Sequence, residues 1–555
     1  MLMKDAMKTK RILAALIAAI VIICGANVLR DDDKNFEISK HMNIFATLFR
    51  EVNMFYVDEI NPGDIMTTGI QAMLKSLDPY TVYYPESEME DVKLMTTGEY
   101  AGIGSIISKK GDEVIIREPY KNSPADLAGL LPGDVILSID GHSTKGKDVE
   151  SVSEMLKGQP GKEITLKIQR KYEDKPLEKR AIRKNIQLPS VPYYGLVNDS
   201  TGYIYLSSFT AKAAEEVRKA ITELKSRGVR SLILDLRGNS GGLLDQAVEI
   251  VNYFVPKGSK IVNTKGKVKQ WDKEHNADKN PIAPDMPLAV LIDRASASAS
   301  EIVSGALQDL DRAVLIGERS FGKGLVQTVR DLAYNTKLKV TTAKYYIPSG
   351  RCIQALDYTH RNPDGSVGKL PDSLITEYTT STGRKVYDGG GIMPDIKIEP
   401  KEYAKITQEL VIQDITFDFV NDYALRHPEA AKIEEFRISD EMYEEFKNYL
   451  KTNHFSYVTE SQRALEKLAE IAKTERYYDS SKECIDKLKK DFSHSIDRDM
   501  NLFKKEISSF LTEQFIQRYY YAEGVLRYKT HHDKDINKAV EILANHQTYR
   551  RILNR

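Results

Sequence analysis

Between Gly202 and about Pro400, apolar runs alternate with helical stretches, and this rhythm constrains the fold more than any other feature of the chain. Ser231 to Leu236 is apolar and Leu243 to Phe254 has helical spacing. Pro287 to Ile292 is apolar and Ser300 to Leu310 is again helical, with further strand-like runs at Ala313–Gly317 and Leu338–Tyr346. Such βαβ alternation implies a partly parallel sheet with right-handed crossovers. In sheets of that kind, sites form beyond the carboxyl ends of the strands.

The chain has 555 residues, too many for one core. Before the alternating region, Gly98 to about Gln187 reads as short strands with a capped helix at Ser123–Leu130 and an amphipathic helix at Asp148–Lys157. Earlier still, Glu37 to Met95 is helical, with Phe45, Leu48, Val52 and Phe55 on one face and a turn at Leu77–Thr81. That block is small, so its apolar faces are expected to pack against another domain or a second subunit. After Lys401 the chain is charged and helical, with Leu465, Leu468 and Ile471 spaced as one face and Phe503, Ile507 and Phe510 as another. Net charge is zero, which gives no pull toward nucleic acid. Three cysteines, one of them in the N-terminal apolar run, support neither a disulfide framework nor a structural zinc site.

The N-terminus carries Lys4, Lys8, Lys10 and Arg11, then an apolar run from Ile12 to Ile23 and small residues at Cys24–Ala26. This pattern reads as an export signal, either cleaved after Ala26 or retained as an anchor extending to Leu29. The charge asymmetry puts the rest of the chain outside the cytoplasm in either case.

Chemistry concentrates in two segments. Val290–Glu301 runs from an apolar strand into Ser296, Ser298 and Ser300 at the start of a helix. About 25 residues on, Lys323 lies between Gly322 and Gly324. A serine is a weak nucleophile until a neighbour takes its proton, and a lysine can do so only when neutral. Lowering a lysine by roughly three units from its ordinary value of about 10.4 is worth about 4 kcal/mol, which burial beside Phe321 and Leu325 could supply. Ser298 and Glu301 also form an S-x-x-E capping box, which by itself only starts a helix. Local spacing does not choose among the three serines. Gln327 follows Lys323 at an even spacing and in a strand would share its face. Asp235–Gly242, with glycines at 238, 241 and 242, follows a strand and opens a helix. It lacks the Walker and dinucleotide patterns, so an oxyanion hole is its better use than a phosphate loop. No HExxH is present, and His275 and His360 leave a Ser-His-Asp arrangement open.

These residues together resemble the carboxyl-terminal processing, or tail-specific, proteases, which are Ser–Lys serine endopeptidases with a PDZ domain. The likeness rests on Asn122–Ala125 through Leu131–Asp134, on Asp235–Gly242, Ser296–Glu301, Phe321–Gly324 and Thr341–Arg351. It implies Ser298 as nucleophile, Lys323 as general base and Gln327 as its orienting partner. It implies oxyanion donors at Gly241, Gly242 and the Ala299 N–H. It further implies a PDZ peptide groove between Gly102–Ile103–Gly104 and the helix bearing Val149, Val152 and Leu156, with backbone N–H groups taking a chain-terminal carboxylate.

The expected organisation is α/β and multidomain. Residues 1–33 are the signal, 34–97 a helical segment and 98–188 the PDZ domain. Residues 189–400 form a crotonase/ClpP-like protease core and 401–555 a C-terminal helical region. No metal or cofactor is expected. The expected partners are proteins with apolar C-termini, an adaptor on the C-terminal region, a second copy of the chain and, if the signal is uncleaved, the membrane. The expected location is the periplasm or the periplasmic face of the inner membrane. The rival reading is a non-catalytic PDZ/crotonase-fold binding or envelope scaffold protein.

Overall fold

The computed structural model describes residues 35–492 and 495–555. The N-terminal basic and apolar run lies outside the described residues. The chain divides into two compact units, Met1–Tyr83 and Tyr84–Arg555. In the first, a helix spans 35–55 and another spans Pro62–Lys75, capped by the Asn61 side chain. The turn that follows is tied by Asp78, whose carboxylate accepts the N–H groups of Tyr80 and Thr81. Phe45, Leu48 and Phe55 are exposed on the first helix.

The second unit runs from Tyr84 to Arg555. Its helix Met89–Thr97 ends at left-handed Gly98 and leads into a strand-rich domain. There Ser105–Lys110, Glu113–Pro119, Val135–Ile139, Glu163–Gln169 and Leu177–Ile182 pair antiparallel in that order. Ile164, Leu166 and Ile168 alternate inward along one strand, the period-two pattern of a sheet with one covered face. Helix Val149–Leu156 closes this core with Val152 and Leu156.

The alternating region forms a six-stranded sheet ordered Tyr193–Leu196, Thr201–Tyr205, Ser231–Asp235, Leu288–Ile292, Val314–Gly317, Ile396–Lys397. Every pair is parallel except the first. Leu232, Leu234, Leu288, Val290 and Ile292 face helices Ala213–Ser226, Leu244–Asn252 and Ala299–Asp309. Ile233, Ala289, Leu291, Val314 and Ile316 face the opposite way. A parallel sheet buried on both faces reads as the continuous apolar runs seen in the sequence. A separate antiparallel sheet joins Leu325–Asp331, Lys337–Tyr346, Lys260–Gly266 and Lys273–Asn276.

The cover for the second face comes from the end of the chain. Helices Lys534–Ala544 and His546–Ile552 lay Ile536, Ile542, Leu543 and Tyr549 against it. Residues 534–553 therefore complete the α/β layer, although the sequence groups them with the helical region. That region has its own aromatic core around Phe419, Phe446 and Phe515. In helix Glu460–Thr474 the buried face is Leu465, Ala469 and Ala472, whereas Leu468 and Ile471 are exposed, so the expected face is rotated. The long helix Lys504–His532 breaks at Tyr521, which has φ 61 and ψ −172. At the break the Tyr521 hydroxyl donates to Asp126 and the Ala522 N–H to Glu118, both on the strand-rich domain.

Candidate active site

The turn from strand Leu288–Ile292 into helix Ala299–Asp309 is laced together by short polar side chains. Asp293 Oδ1 accepts the N–H groups of Ala295, Ser296 and Gly238, each at 3.0 Å. The Ser296 hydroxyl donates to the Leu236 carbonyl and the Ser300 hydroxyl to the Asn239 carbonyl, both at 2.8 Å. Both serines are fully buried, and their hydroxyls bind the serine turn to the glycine loop. Ser298 alone of the three is half-exposed. It sits at φ 56, a left-handed value costly for a non-glycine residue. It also stands at the N-terminus of a helix whose eleven residues are all buried, where backbone N–H groups converge.

Four groups hold the Ser298 backbone. Its N–H donates to Glu301 Oε2 at 2.9 Å, and its carbonyl accepts from the Glu301 N–H, the Ile302 N–H and the Tyr345 hydroxyl. Glu301 is fully buried; burial pushes its carboxyl pKa up while its hydrogen bonds hold it down. Burial likewise pushes the Tyr345 phenol well above its ordinary value. Neither His275 nor His360 is among the hydrogen-bond partners of Ser298. His360 is exposed and pairs with Asp357.

Lys323 is half-buried in a loop, not in a strand, because the strand begins at Leu325. Its N–H donates to Glu301 Oε2 at 2.8 Å. Gly322 has φ 89, and a Cβ there would lie 2.5 Å from that of Ala355, so the loop admits only glycine at that point. Of the two apolar neighbours expected to bury the lysine, Leu325 is buried and Phe321 is 46% exposed. The even-spacing argument for Gln327 does not hold either. Lys323 precedes the strand, and the ladder shifts register between Val326 and Gln327. The Gln327 amide donates to the Thr341 hydroxyl at 3.2 Å.

The glycine loop lies directly against the serine. A Cβ on Gly241 would come within 2.9 Å of the Ser298 Cβ and 3.0 Å of the Ala299 nitrogen. The Gly241 N–H, expected as an oxyanion donor, is instead given to Asn239 Oδ1 at 2.9 Å. Gly242 packs against the Phe209 backbone. The preceding Arg237 is clasped by Asp235 from within the loop and by Asp533 and Asp535 from the C-terminal helices. Sequence spacing gave no sign of that long-range contact, of Tyr345, or of the glutamate's contact with the lysine loop.

In the strand-rich domain, Gly102, Ile103, Gly104 and Leu156 line a cavity of about 220 Å³, together with Tyr100, Tyr120, Ser153 and Lys157. Val152 is turned into the domain core and Val149 is not part of the lining, because the helix presents Ser153 and Leu156 instead. The Tyr100 ring lies over Gly102, where a Cβ would be 2.8 Å from a ring carbon. Lys157 pairs with Asp91 of the preceding helix at the cavity wall. Among the described residues, no group of three histidine, cysteine, aspartate or glutamate side chains is placed to hold a metal ion.

A buried α/β layer with a strained serine at a helix N-terminus, in a chain that matches the models of a serine peptidase family and of the PDZ domain, is that of a serine-type peptidase. The model of Peptidase family S41 matches residues 200–364 and that of the PDZ domain residues 115–170. A model described as "Probable PDZ-protease, C-terminal helical domain" matches residues 406–543. A carboxy-terminal-processing protease of Bartonella bacilliformis is 36% identical over 62% of this chain and 79% of its own length. A "Probable CtpA-like serine protease" of Staphylococcus haemolyticus is 32% identical over 70% of this chain and 79% of its own. Among solved structures, a photosystem II D1 C-terminal processing protease is 26% identical, covers 65% of this chain and 88% of that one, and has a TM-score of 0.35. The chain belongs to the CtpA-like carboxyl-terminal processing proteases of peptidase family S41.

Proposed function

We propose that the protein is an exported endopeptidase that grips the C-terminus of a protein substrate in its PDZ groove and cleaves nearby with Ser298 and Lys323. The observation that carries this reading is the contrast among the three serines. Ser296 and Ser300 are sealed into the fold, while Ser298 is presented at a helix N-terminus beside the glycine loop. In this scheme the neutral Lys323 amine takes the Ser298 proton as Oγ attacks the scissile carbonyl. The oxyanion that forms is met by the Ala299 and Gly242 N–H groups at the positive end of the helix. The ammonium then protonates the leaving amine, and water hydrolyses the acyl-enzyme by the same route in reverse. Gln327 assists by orienting the amine.

Because the base must be neutral, kcat/KM should rise with pH as the lysine loses its proton and then level off. EDTA should change nothing. A pH–rate profile on a denatured protein with an apolar tail tests both, and chelator inhibition reversed by zinc would refute the scheme.

The cavity beside Gly102–Gly104 supports the choice of C-termini, since a terminal carboxylate can displace the Tyr100 phenol oxygen from the Gly104 and Ser105 N–H groups and Leu156 can take an apolar side chain. Amidating the substrate's C-terminus should raise KM about tenfold or more. Equal cleavage of amidated and free-acid substrates would remove the PDZ domain from the reaction.

Export rests on the basic and apolar N-terminal run, with the periplasm or its membrane face as destination. Among the described residues, no helix is long and apolar enough to cross a membrane. Self-association rests on the exposed Phe45, Leu48 and Phe55. Light scattering on the chain without residues 1–33 should report more than one 60 kDa protomer; a monomer at micromolar concentration would contradict it.

A further inference from the structure

We propose that Glu301 is a positioning residue that sets the nucleophile and the base with one carboxylate, an inference resting on the Ser298–Lys323 reading above. Its two edges divide the work. Oε2 accepts the N–H groups of Ser298 and Lys323 at 2.9 and 2.8 Å. Oε1 accepts the Gly322 N–H at 2.7 Å and the Ser320 hydroxyl. The Ser320 oxygen itself accepts the Ile392 N–H at 2.6 Å, so the proton of its hydroxyl is directed to the glutamate. All four of these groups donate to the carboxylate.

A capping box explains only one of these contacts. The bond to the Ser298 N–H starts the helix; the three to residues 320–323 reach a loop about twenty residues further along the chain and do nothing for helix initiation. A fully buried carboxylate is expensive, and four donors make it tolerable. What the fold gains is a fixed relation between two backbones. The same oxygen holds the strained turn of Ser298 and the lysine-bearing loop, so a shift of either is resisted by the other. Small displacements of a nucleophile from its base cost large factors in rate.

Glu301→Gln tests this directly. An amide offers one acceptor oxygen against two edges of donors. Gly322 lies on one edge and Lys323 on the other, so whichever way the amide turns, one bond to the lysine loop is replaced by N–H facing N–H. The expected result is a kcat lowered at least tenfold with KM within twofold. Labelling of Ser298 by a fluorophosphonate, in which Oγ displaces fluoride from phosphorus, should slow in parallel. Ser304→Ala, which removes a buried hydroxyl from the same helix without touching the donors of Glu301, should lower Tm but keep kcat within twofold. A loss of less than tenfold in Glu301→Gln, or a loss in Ser304→Ala that follows Tm in the same proportion, would overturn the positioning role. The label separates the two readings. If it maps to a residue other than Ser298 in the wild type, the Ser–Lys reading falls and the inference with it. If it maps to Ser298 and Glu301→Gln reacts as fast as wild type, only the inference falls.

Discussion

Ser298→Ala is expected to lower turnover by about 10⁴-fold or more while leaving Tm within a few degrees of wild type, because the hydroxyl is the proposed nucleophile and its structural part, closing the capping box on the Glu301 N–H, is worth only about 1 kcal/mol. Lys323→Ala should do the same. Lys323→Arg is the sharper variant: it keeps the length and the charge but cannot give up its proton near neutrality, so it should be equally inactive. Activity retained in Lys323→Arg would assign the lysine an electrostatic role and exclude it as the base. The neighbouring serines should behave in the opposite way. Ser296→Ala and Ser300→Ala each remove a buried hydrogen bond to the glycine loop and should cost about 1 kcal/mol of stability. Loss of catalysis in one of them, with Ser298→Ala still active, would show the wrong serine. Turnover on a denatured substrate with an apolar tail is the measurement in each case.

The α/β layer was legible in the sequence because a parallel sheet covered on both faces must be written as unbroken apolar runs such as Leu232–Leu234 and Leu288–Ile292. The segments that carry the site were legible because strands that end in small residues and glycines have few other uses. What was not legible depends on long-range placement. Leu156, expected at the peptide groove, lines the cavity beside Gly102–Gly104, whereas Val152 faces the domain core, since a helical apolar stripe does not say which of its members turns inward. Gln327 was aligned with Lys323 by a strand period that begins only at Leu325 and is broken by a bulge. Gly241 was given to the oxyanion, whereas Asn239, two residues earlier, takes its N–H. Glu301 was visible as a cap, but its second task depends on a loop about twenty residues away. Arg237 in the glycine loop needs Asp533 and Asp535, nearly 300 residues on, and no local pattern marks that pairing.

Ending the chain before Lys534 should abolish soluble expression, and this expectation follows from which residues cover the sheet. Helices Lys534–Ala544 and His546–Ile552 bury Ile536, Ile542, Leu543 and Leu553 against one face of the protease layer. At about 1.5–3 kcal/mol for each fully buried large aliphatic side chain, those four alone represent roughly 6–12 kcal/mol. That is the size of the whole stability of an ordinary domain. The deletion would also expose Ile233, Leu291, Val314 and Ile316 as a continuous apolar surface, the usual origin of aggregation. It would remove as well the Tyr549 hydroxyl that bonds the Leu288 backbone, and Asp535, one of the carboxylates on Arg237. A single charge at the centre of the contact, Ile536→Asp, should have a graded version of the same effect, lowering Tm by several degrees before any loss of the active-site residues themselves. The soluble fraction, the melting curve and activity measure the outcome. A truncated chain that is soluble, melts cooperatively near the wild-type temperature and still cleaves its substrate would show that these helices are an appendage. The expected failure would show instead that the chain closes its protease layer only with residues 534–555, so that the C-terminal helical region is both a domain of its own and a wall of the active-site fold.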